Sequence, residues 1–243
     1  MFTKNLSDAD TDRNTVLLDM EESRRLSRLL IAEDRRDYAA AHTLLRRTLT
    51  EVIPQIEPGE WCFERTARGK PFLPPAQAGV PPVRFSLSHT RGMVACIVSR
   101  CAEVGVDVES RSRPVDVDLL MRDVCSVEEQ QQISMVDPSA RPDRFFDLWM
   151  LKEAYLKALG LGITGALDQI SFDLGTPEVI VASTPDQVAK RWWFALIGRA
   201  PEGRIGVAVA TDSCVDPVFD AAVVDPVSSP PSLRPIGVYA SSL

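Results

Sequence analysis

Asp143-Arg-Phe-Phe-Asp-Leu-Trp-Met-Leu-Lys-Glu-Ala-Tyr-Leu-Lys-Ala-Leu159 is the stretch on which the fold turns. Its pattern predicts a long helix, and Gly160 supplies a residue suited to the left-handed C-cap. Upstream, Val83–Ser88, Met93–Ser99 and Val104–Glu109 read as three strands crowded together, rich in β-branched residues and separated by short polar turns. Downstream, Ile170–Leu174, Glu178–Ala182, Arg191–Ile197 and Arg204–Ala210 read as a second antiparallel sheet. A helix flanked by strands on both sides implies an α+β protein.

The N-terminal segment repeats that order. Met20 to about Ile53 reads as two helices, the first ending near Ala32 and the second starting at Asp34 as N-cap. Tyr38, Ala41, Leu45 and Leu49 fall at spacings of three and four, and Pro54 stops the run. Trp61–Thr66 suggests a short strand, followed by the turn Thr66-Ala-Arg-Gly-Lys-Pro-Phe72. Val115–Val124 and Val127–Ser134 read as short helices. Two helix-then-strands blocks result, breaking near Ser110–Pro114, so two similar α+β halves are expected over residues 1–110 and 111–212. Residues 213–243 contain Asp216-Pro, Asp225-Pro and Ser228-Ser-Pro-Pro-Ser, and are expected to hug the surface as a tail without continuing a sheet.

A chain of 243 residues, 45% hydrophobic and 25% charged, is long enough to bury a core and excludes whole-chain disorder, collagen or coiled coil. Its apolar runs fall short of the ~18 residues of a membrane helix. Acids run through the first thirty residues, against a secretory leader. No membrane partner and a cytoplasmic location are therefore expected. A net charge of −7 argues against general nucleic-acid binding. An anionic ligand must then be met locally, and Arg24, Arg25, Arg28, Arg35, Arg36, Arg46 and Arg47 concentrate cations early in the chain, where they also suit a solvated helix face. The five cysteines are odd in number and scattered, which predicts buried thiols rather than a disulfide framework or zinc site.

Three short segments carry chemistry. Gly105-Val-Asp-Val-Glu109 places Asp107 and Glu109 on one strand face, about 7 Å apart along the backbone. Such like charges favour a cation between them, and Mg²⁺ takes hard oxygens, water and phosphate; a bare D-x-E also suits the solvent face of an edge strand. On the long helix, Trp149, Glu153 and Lys157 share one stripe with Lys152 one step round. Glu153 and Lys157 alone would equally make a surface ion pair. Phe85-Ser-Leu-Ser-His-Thr-Arg-Gly92 brings Ser88 and His89 to a strand end. Adjacent strand residues face opposite ways, so these two are not expected to form a catalytic dyad, and no G-x-S-x-G elbow is present.

Taken in order, Arg65-Thr-Ala-Arg-Gly-Lys-Pro71, Phe85-Ser-Leu-Ser-His89, Gly105-Val-Asp-Val-Glu109 and Trp149-Met-Leu-Lys-Glu-Ala-Tyr-Leu-Lys157 resemble the motifs of the Sfp-type 4′-phosphopantetheinyl transferases. The resemblance runs in detail over about residues 30–175. It implies a monomer of two α+β halves related by a pseudo-twofold, with coenzyme A in the cleft between them. It further implies Asp107, Glu109 and Glu153 as Mg²⁺ ligands, with Mn²⁺ as the alternative ion, and Glu153 as the base. Lys157 would meet the coenzyme A diphosphate. Ser88 and His89 would contact the 3′-phosphate end, Lys70 the nucleotide pocket, and His42 and Thr43 the same phosphate.

The implied reaction transfers the phosphopantetheine arm to a serine of an apo acyl or peptidyl carrier protein and releases 3′,5′-adenosine diphosphate. Val115–Arg122 is a docking segment for that carrier, and would equally pack on its own domain. The Lys-Glu-Ala form of the helix motif resembles the broad-specificity branch serving polyketide and nonribosomal peptide synthesis. A Mg²⁺-dependent nucleotide diphosphate hydrolase and a non-catalytic coenzyme A or carrier-protein binding module are the alternatives.

Overall fold

The structure, a computed structural model, describes residues 1–100, 102–110, 116–162, 167–174, 180–183, 191–198, 203–211, 222–224, 233–235 and 240–242. The chain opens with helices α1 (Asp8–Thr15), α2 (Met20–Leu26) and α3 (Ala32–Val52). Then come β1 (Glu64–Arg65), β2 (Pro71–Phe72), the short α4 (Pro75–Ala78), β3 (Arg84–Thr90), β4 (Met93–Ser99) and β5 (Glu103–Glu109). Helices α5 (Val117–Val124), α6 (Val127–Met135) and α7 (Arg141–Leu159) follow. Next are β6 (Ser171–Asp173), β7 (Ile180–Ser183), β8 (Arg191–Ile197) and β9 (Arg204–Thr211). The last described elements are β10 (Ala222–Val224), β11 (Leu233–Pro235) and β12 (Ala240–Ser242).

Helix α7 ends as its sequence requires. Gly160 is left-handed at φ 69°, and its N–H bonds to the carbonyls of Leu156 and Lys157. Helix α3 starts earlier than expected, with Ile31 at the N-cap and no side-chain cap. Asp34 instead lies in its first turn, where a carboxylate still complements the helix dipole. Helix α1, which the sequence reading did not anticipate, is closed by a reciprocal capping box between Ser7 and Asp10.

The elements stack as helix, hairpin, sheet and helix. Strand alternation builds this order. On the β3–β4 hairpin, Phe85 and Val98 join Leu45, Leu49 and Trp61 beneath α3, while Met93 and Ala95 face the other way onto Val104, Val106 and Val108 of β5. Those valines lie on the same sheet face as Trp193, Ala195, Val207 and Val209. The opposite face carries Trp192, Phe194, Ala208 and Ala210, which pack under Leu148, Leu151, Ala154 and Tyr155 of α7.

Sheet membership differs from the sequence reading at two points. Strand β5 hydrogen-bonds to β9 in antiparallel register, pairing Asp107 with Gly206, so the acidic strand belongs to the β12-β8-β9-β5 sheet, whereas β6 and β7 pair separately. The tail also returns to this sheet, since β12 pairs with β8 through Ala240–Ser242. Proline-rich composition predicted no such strand, and the pairing uses a proline-free stretch at an edge. Cys101, Cys214, Val115 and Glu178 lie outside the described residues. Cys62, Cys96 and Cys125 are free thiols, but only Cys125 is buried as expected, Cys96 being half-buried and Cys62 exposed. No described helix is long and apolar enough to cross a membrane.

Candidate active site

The acidic strand and the long helix meet because two glycines let them. A Cβ at Gly105 would stand 1.8 Å from the Ala154 carbonyl oxygen, and one at Gly206 would stand 2.7 Å from the backbone of Met150. Helix α7 therefore lies directly on the backbone of β5 and β9. Asp107 shares the helix-facing side with Gly105. Lys157, one turn beyond Glu153, places its ammonium 2.6 Å from Asp107 Oδ1. From the neighbouring hairpin, Ser88 donates to Asp107 Oδ1 at 2.9 Å and receives the Lys157 ammonium at 2.9 Å.

Asp107 and Glu153 are buried, at 5% and 6% exposure, and Asp107 Oδ2 and Glu153 Oε1 have no hydrogen-bond partner. Burial pushes the Glu153 carboxyl up, and the like charge of Asp107 pushes it further, against the pull of Lys157. Two orphaned hard oxygens on mutually repelling acids suit a divalent ion, which commonly takes one or two carboxylates and completes its shell with water and phosphate. Glu109 is not part of that pair. Its Oε2 is 3.5 Å from the Thr90 hydroxyl, and among the described residues no three His, Cys, Asp or Glu side chains group closely enough to hold a metal. Of the trio expected from the sequence, Asp107 and Glu153 lie near enough to repel each other, and Glu109, two residues further along the strand, lies with Asp147, Met150 and Arg204.

Beside this centre lies a cavity of about 390 Å³ lined by His42, His89, Tyr38, Thr90, Arg25, Arg65 and Arg91, with Asp19, Glu21, Glu22, Asp34 and Asp37 among its acids. Tyr38 and His42 are one turn apart on α3, with ring centroids 4.3 Å apart, and His89 meets Tyr38 edge-on at 6.5 Å. His42 Nδ1 is 2.7 Å from Glu22 Oε1. Glu22 Oε2 accepts from Arg46 at 2.6 Å and from the Asp19 N–H at 2.9 Å. Arg46 is fully buried and also donates to the Trp61 carbonyl at 2.7 Å, so it holds the wall of the cavity together and is not available to a ligand.

Three other expectations are placed elsewhere. Thr43 donates to the Asn14 carbonyl at 3.0 Å, tying α1 to α3. Lys70 donates to the Ala158 carbonyl at 2.6 Å, and so satisfies the end of α7 rather than lining the cavity. On α5, Val117, Leu120 and Met121 pack against the core, while Leu119 is 65% exposed beside the exposed Arg122. Lys152 is fully buried, with its ammonium 2.5 Å from Glu129 and donating to the Val124 and Leu167 carbonyls.

Glu22 and Glu129 are not singled out by the sequence reading, and Tyr38 is read there only as a core position of its helix. Faint signals existed in the capping-box spacings Asp19-Met-Glu-Glu22 and Ser126-Val-Glu-Glu129, and in Tyr38 and His42 four apart on a helix.

Comparison with known proteins identifies the family of the chain. Residues 103–209 match the family described as the 4′-phosphopantetheinyl transferase superfamily, and residues 6–102 match the 4′-phosphopantetheinyl transferase N-terminal family. The 4′-phosphopantetheinyl transferase HetI of Nostoc sp. (strain PCC 7120 / SAG 25.82 / UTEX 2576) is 30% identical over 200 residues, 82% of this chain and 76% of HetI. A phosphopantetheinyl transferase of Thraustochytrium sp. (strain ATCC 26185 / S-3) is 32% identical over 180 residues, 69% of this chain and 61% of that protein. The 4′-phosphopantetheinyl transferase Sfp of Bacillus subtilis (strain 168) is 24% identical over 181 residues, 74% of this chain and 77% of Sfp. With its acidic strand and long helix both inside a matched region, the chain belongs to the 4′-phosphopantetheinyl transferase superfamily.

Proposed function

We propose that this 4′-phosphopantetheinyl transferase takes its arm from coenzyme A and delivers it to a serine hydroxyl of an apo acyl or peptidyl carrier protein. The observation that carries the reading is the meeting of Asp107, Glu153 and Lys157 across β5 and α7, beside a cavity lined by His42 and His89.

The carrier serine oxygen bonds to the β-phosphorus of coenzyme A, the bond from that phosphorus to the bridging oxygen breaks, and 3′,5′-adenosine diphosphate leaves. Asp107 and Glu153, with Glu109 on the same strand face as Asp107, would hold a divalent ion, Mg²⁺ or Mn²⁺, which would supply charge neutralisation at the diphosphate. Lys157 offers an ammonium to the departing phosphate. Glu153 takes the serine proton, directly or through water, a role worth roughly 10²- to 10⁴-fold. His42 and His89 receive the 3′-phosphate end. Leu119 and Arg122 are the outward groups of α5 that a carrier would meet.

We read the enzyme as a monomer, because Asp107, Glu153, His42 and His89 belong to elements that pack together within a single copy; β5, which precedes Ser110, pairs with β9 beyond it. We place it in the cytoplasm and on the polyketide and nonribosomal peptide side of the family. Intact mass spectrometry of apo carrier proteins incubated with the chain, coenzyme A and Mg²⁺ tests the reading. Addition of one phosphopantetheine arm supports it. Phosphopantetheine released to solution beside an unmodified carrier makes the chain a hydrolase, and unchanged coenzyme A with every carrier class makes it a binding module.

A further inference from the structure

Strand β3 turns three hydroxyls toward β5. Ser86 Oγ accepts the Val106 N–H at 3.2 Å, Ser88 donates to Asp107 at 2.9 Å, and Thr90 reaches Glu109 at 3.5 Å. The intervening Phe85, Leu87 and His89 face the other way, toward α3 and the cavity. Ser88 is 6% exposed. A hydroxyl has one hydrogen and two lone pairs; that of Ser88 gives its hydrogen to Asp107 and takes the Lys157 ammonium, so both partners fix its orientation.

We infer that Ser88 is a positioning residue for Asp107: its hydroxyl and the Lys157 ammonium together hold Oδ1, leaving the buried, unpartnered Oδ2 to an ion shared with Glu153 Oε1. This rests on the reading of Asp107 and Glu153 as a divalent-ion site. It moves Ser88 away from the 3′-phosphate, where the family resemblance would put it beside His89. His89 and Thr90 line the cavity and Ser88 does not. Loss of an outer partner of a metal-binding carboxylate typically lowers metal affinity about 10- to 100-fold.

The test is Mn²⁺ binding to the full chain without coenzyme A, followed by the loss of the free-ion paramagnetic resonance signal. Wild type binding no Mn²⁺ ends the ion-site reading itself, whatever Ser88 does. If wild type binds and Asp107→Asn does not, Ser88→Ala is expected to bind about tenfold more weakly or worse, while Ser88→Thr, which keeps the hydroxyl, stays within a few-fold. Thermal unfolding confirms that each variant is folded. Wild-type affinity in folded Ser88→Ala, or an equal loss in Ser88→Thr, overturns the inference. A second measurement compares the dissociation constants of coenzyme A and 3′-dephospho-coenzyme A. Their ratio is expected to be unchanged in Ser88→Ala, and a collapse of the ratio would return Ser88 to the 3′-phosphate and overturn the inference.

Discussion

Gly105 lies so close beneath Ala154 that a Cβ would stand 1.8 Å from the helix carbonyl oxygen and 2.7 Å from the Ala158 nitrogen. This glycine is needed for approach rather than for an unusual φ, because its backbone is ordinary strand. Gly105→Ala should force α7 off the sheet, at a cost of roughly 1–3 kcal/mol or more. Glu153 and Lys157 ride on that helix, so transfer should fall about 100-fold, the typical result of an ångström-scale misplacement. Urea unfolding and steady-state kinetics check both, and wild-type turnover would show that the helix can lift without harm.

Glu153→Gln should separate stability from activity. The carboxylate is buried, carries an unpartnered oxygen and is repelled by Asp107. Its neutral isostere removes the buried charge and its repulsion by Asp107 and should raise stability, while abolishing transfer. A melting temperature below wild type would contradict the account of Glu153 as strained.

Lys152 and Glu153 are adjacent in sequence but opposite in role. Lys152→Ala leaves Glu129 as an uncompensated buried charge and should cost about 3–5 kcal/mol. Below the lowered melting temperature, the KM for coenzyme A should match wild type. Loss of turnover without loss of stability would mean that Lys152 reaches the substrate.

Acid should loosen the wall of the cavity through Glu22. Burial alone would raise its pKa, but the His42 hydrogen bond and charge, the Asp19 N–H and Arg46 outweigh it and hold the carboxyl at about 2, against 4.5 in the unfolded chain. A depressed acid stabilises the fold fully above the unfolded value and loses that contribution as pH falls toward the folded one. Each pKa unit of that depression is worth about 1.4 kcal/mol. Glu22→Gln should lose on the order of 1–3 kcal/mol at pH 7 and show a flatter decline of stability between pH 4.5 and 2 in urea titrations. A slope as steep as wild type would assign the acid sensitivity to other carboxylates.

The legible parts of this protein were those set by local pattern. Met93–Ser99 and Arg191–Ile197 are strands over the residues their β-branched and aromatic runs indicate, and α7 stops at the glycine that can turn left-handed. Asp107, Glu153, Lys157 and Ser88 were singled out by residue type and spacing, and the fold gathers them around one point. Glu109 has the same spacing from Asp107 on the strand face and lies with Asp147 and Met150 of α7. Strand alternation places Asp107 and Glu109 on a common face but cannot say which turn of α7 each one meets; Asp147 and Met150 come earlier on the helix than Glu153.

Sequence by itself determined the α+β element order, the acidic strand, the helix stripe of Glu153 and Lys157, and the opposed faces of Ser88 and His89, because each follows from a period of 2 or 3.6 and from a few capping or breaking residues. Only the tertiary structure decided that β5 joins β9, that the charged Arg46 and Lys152 are fully buried while Arg47 is exposed, and that Ser88 hydrogen-bonds to Asp107. Those depend on contacts between residues far apart in the chain, where close approach at Gly105 and Gly206 and the pairing of buried charges select one arrangement among many with the same local pattern.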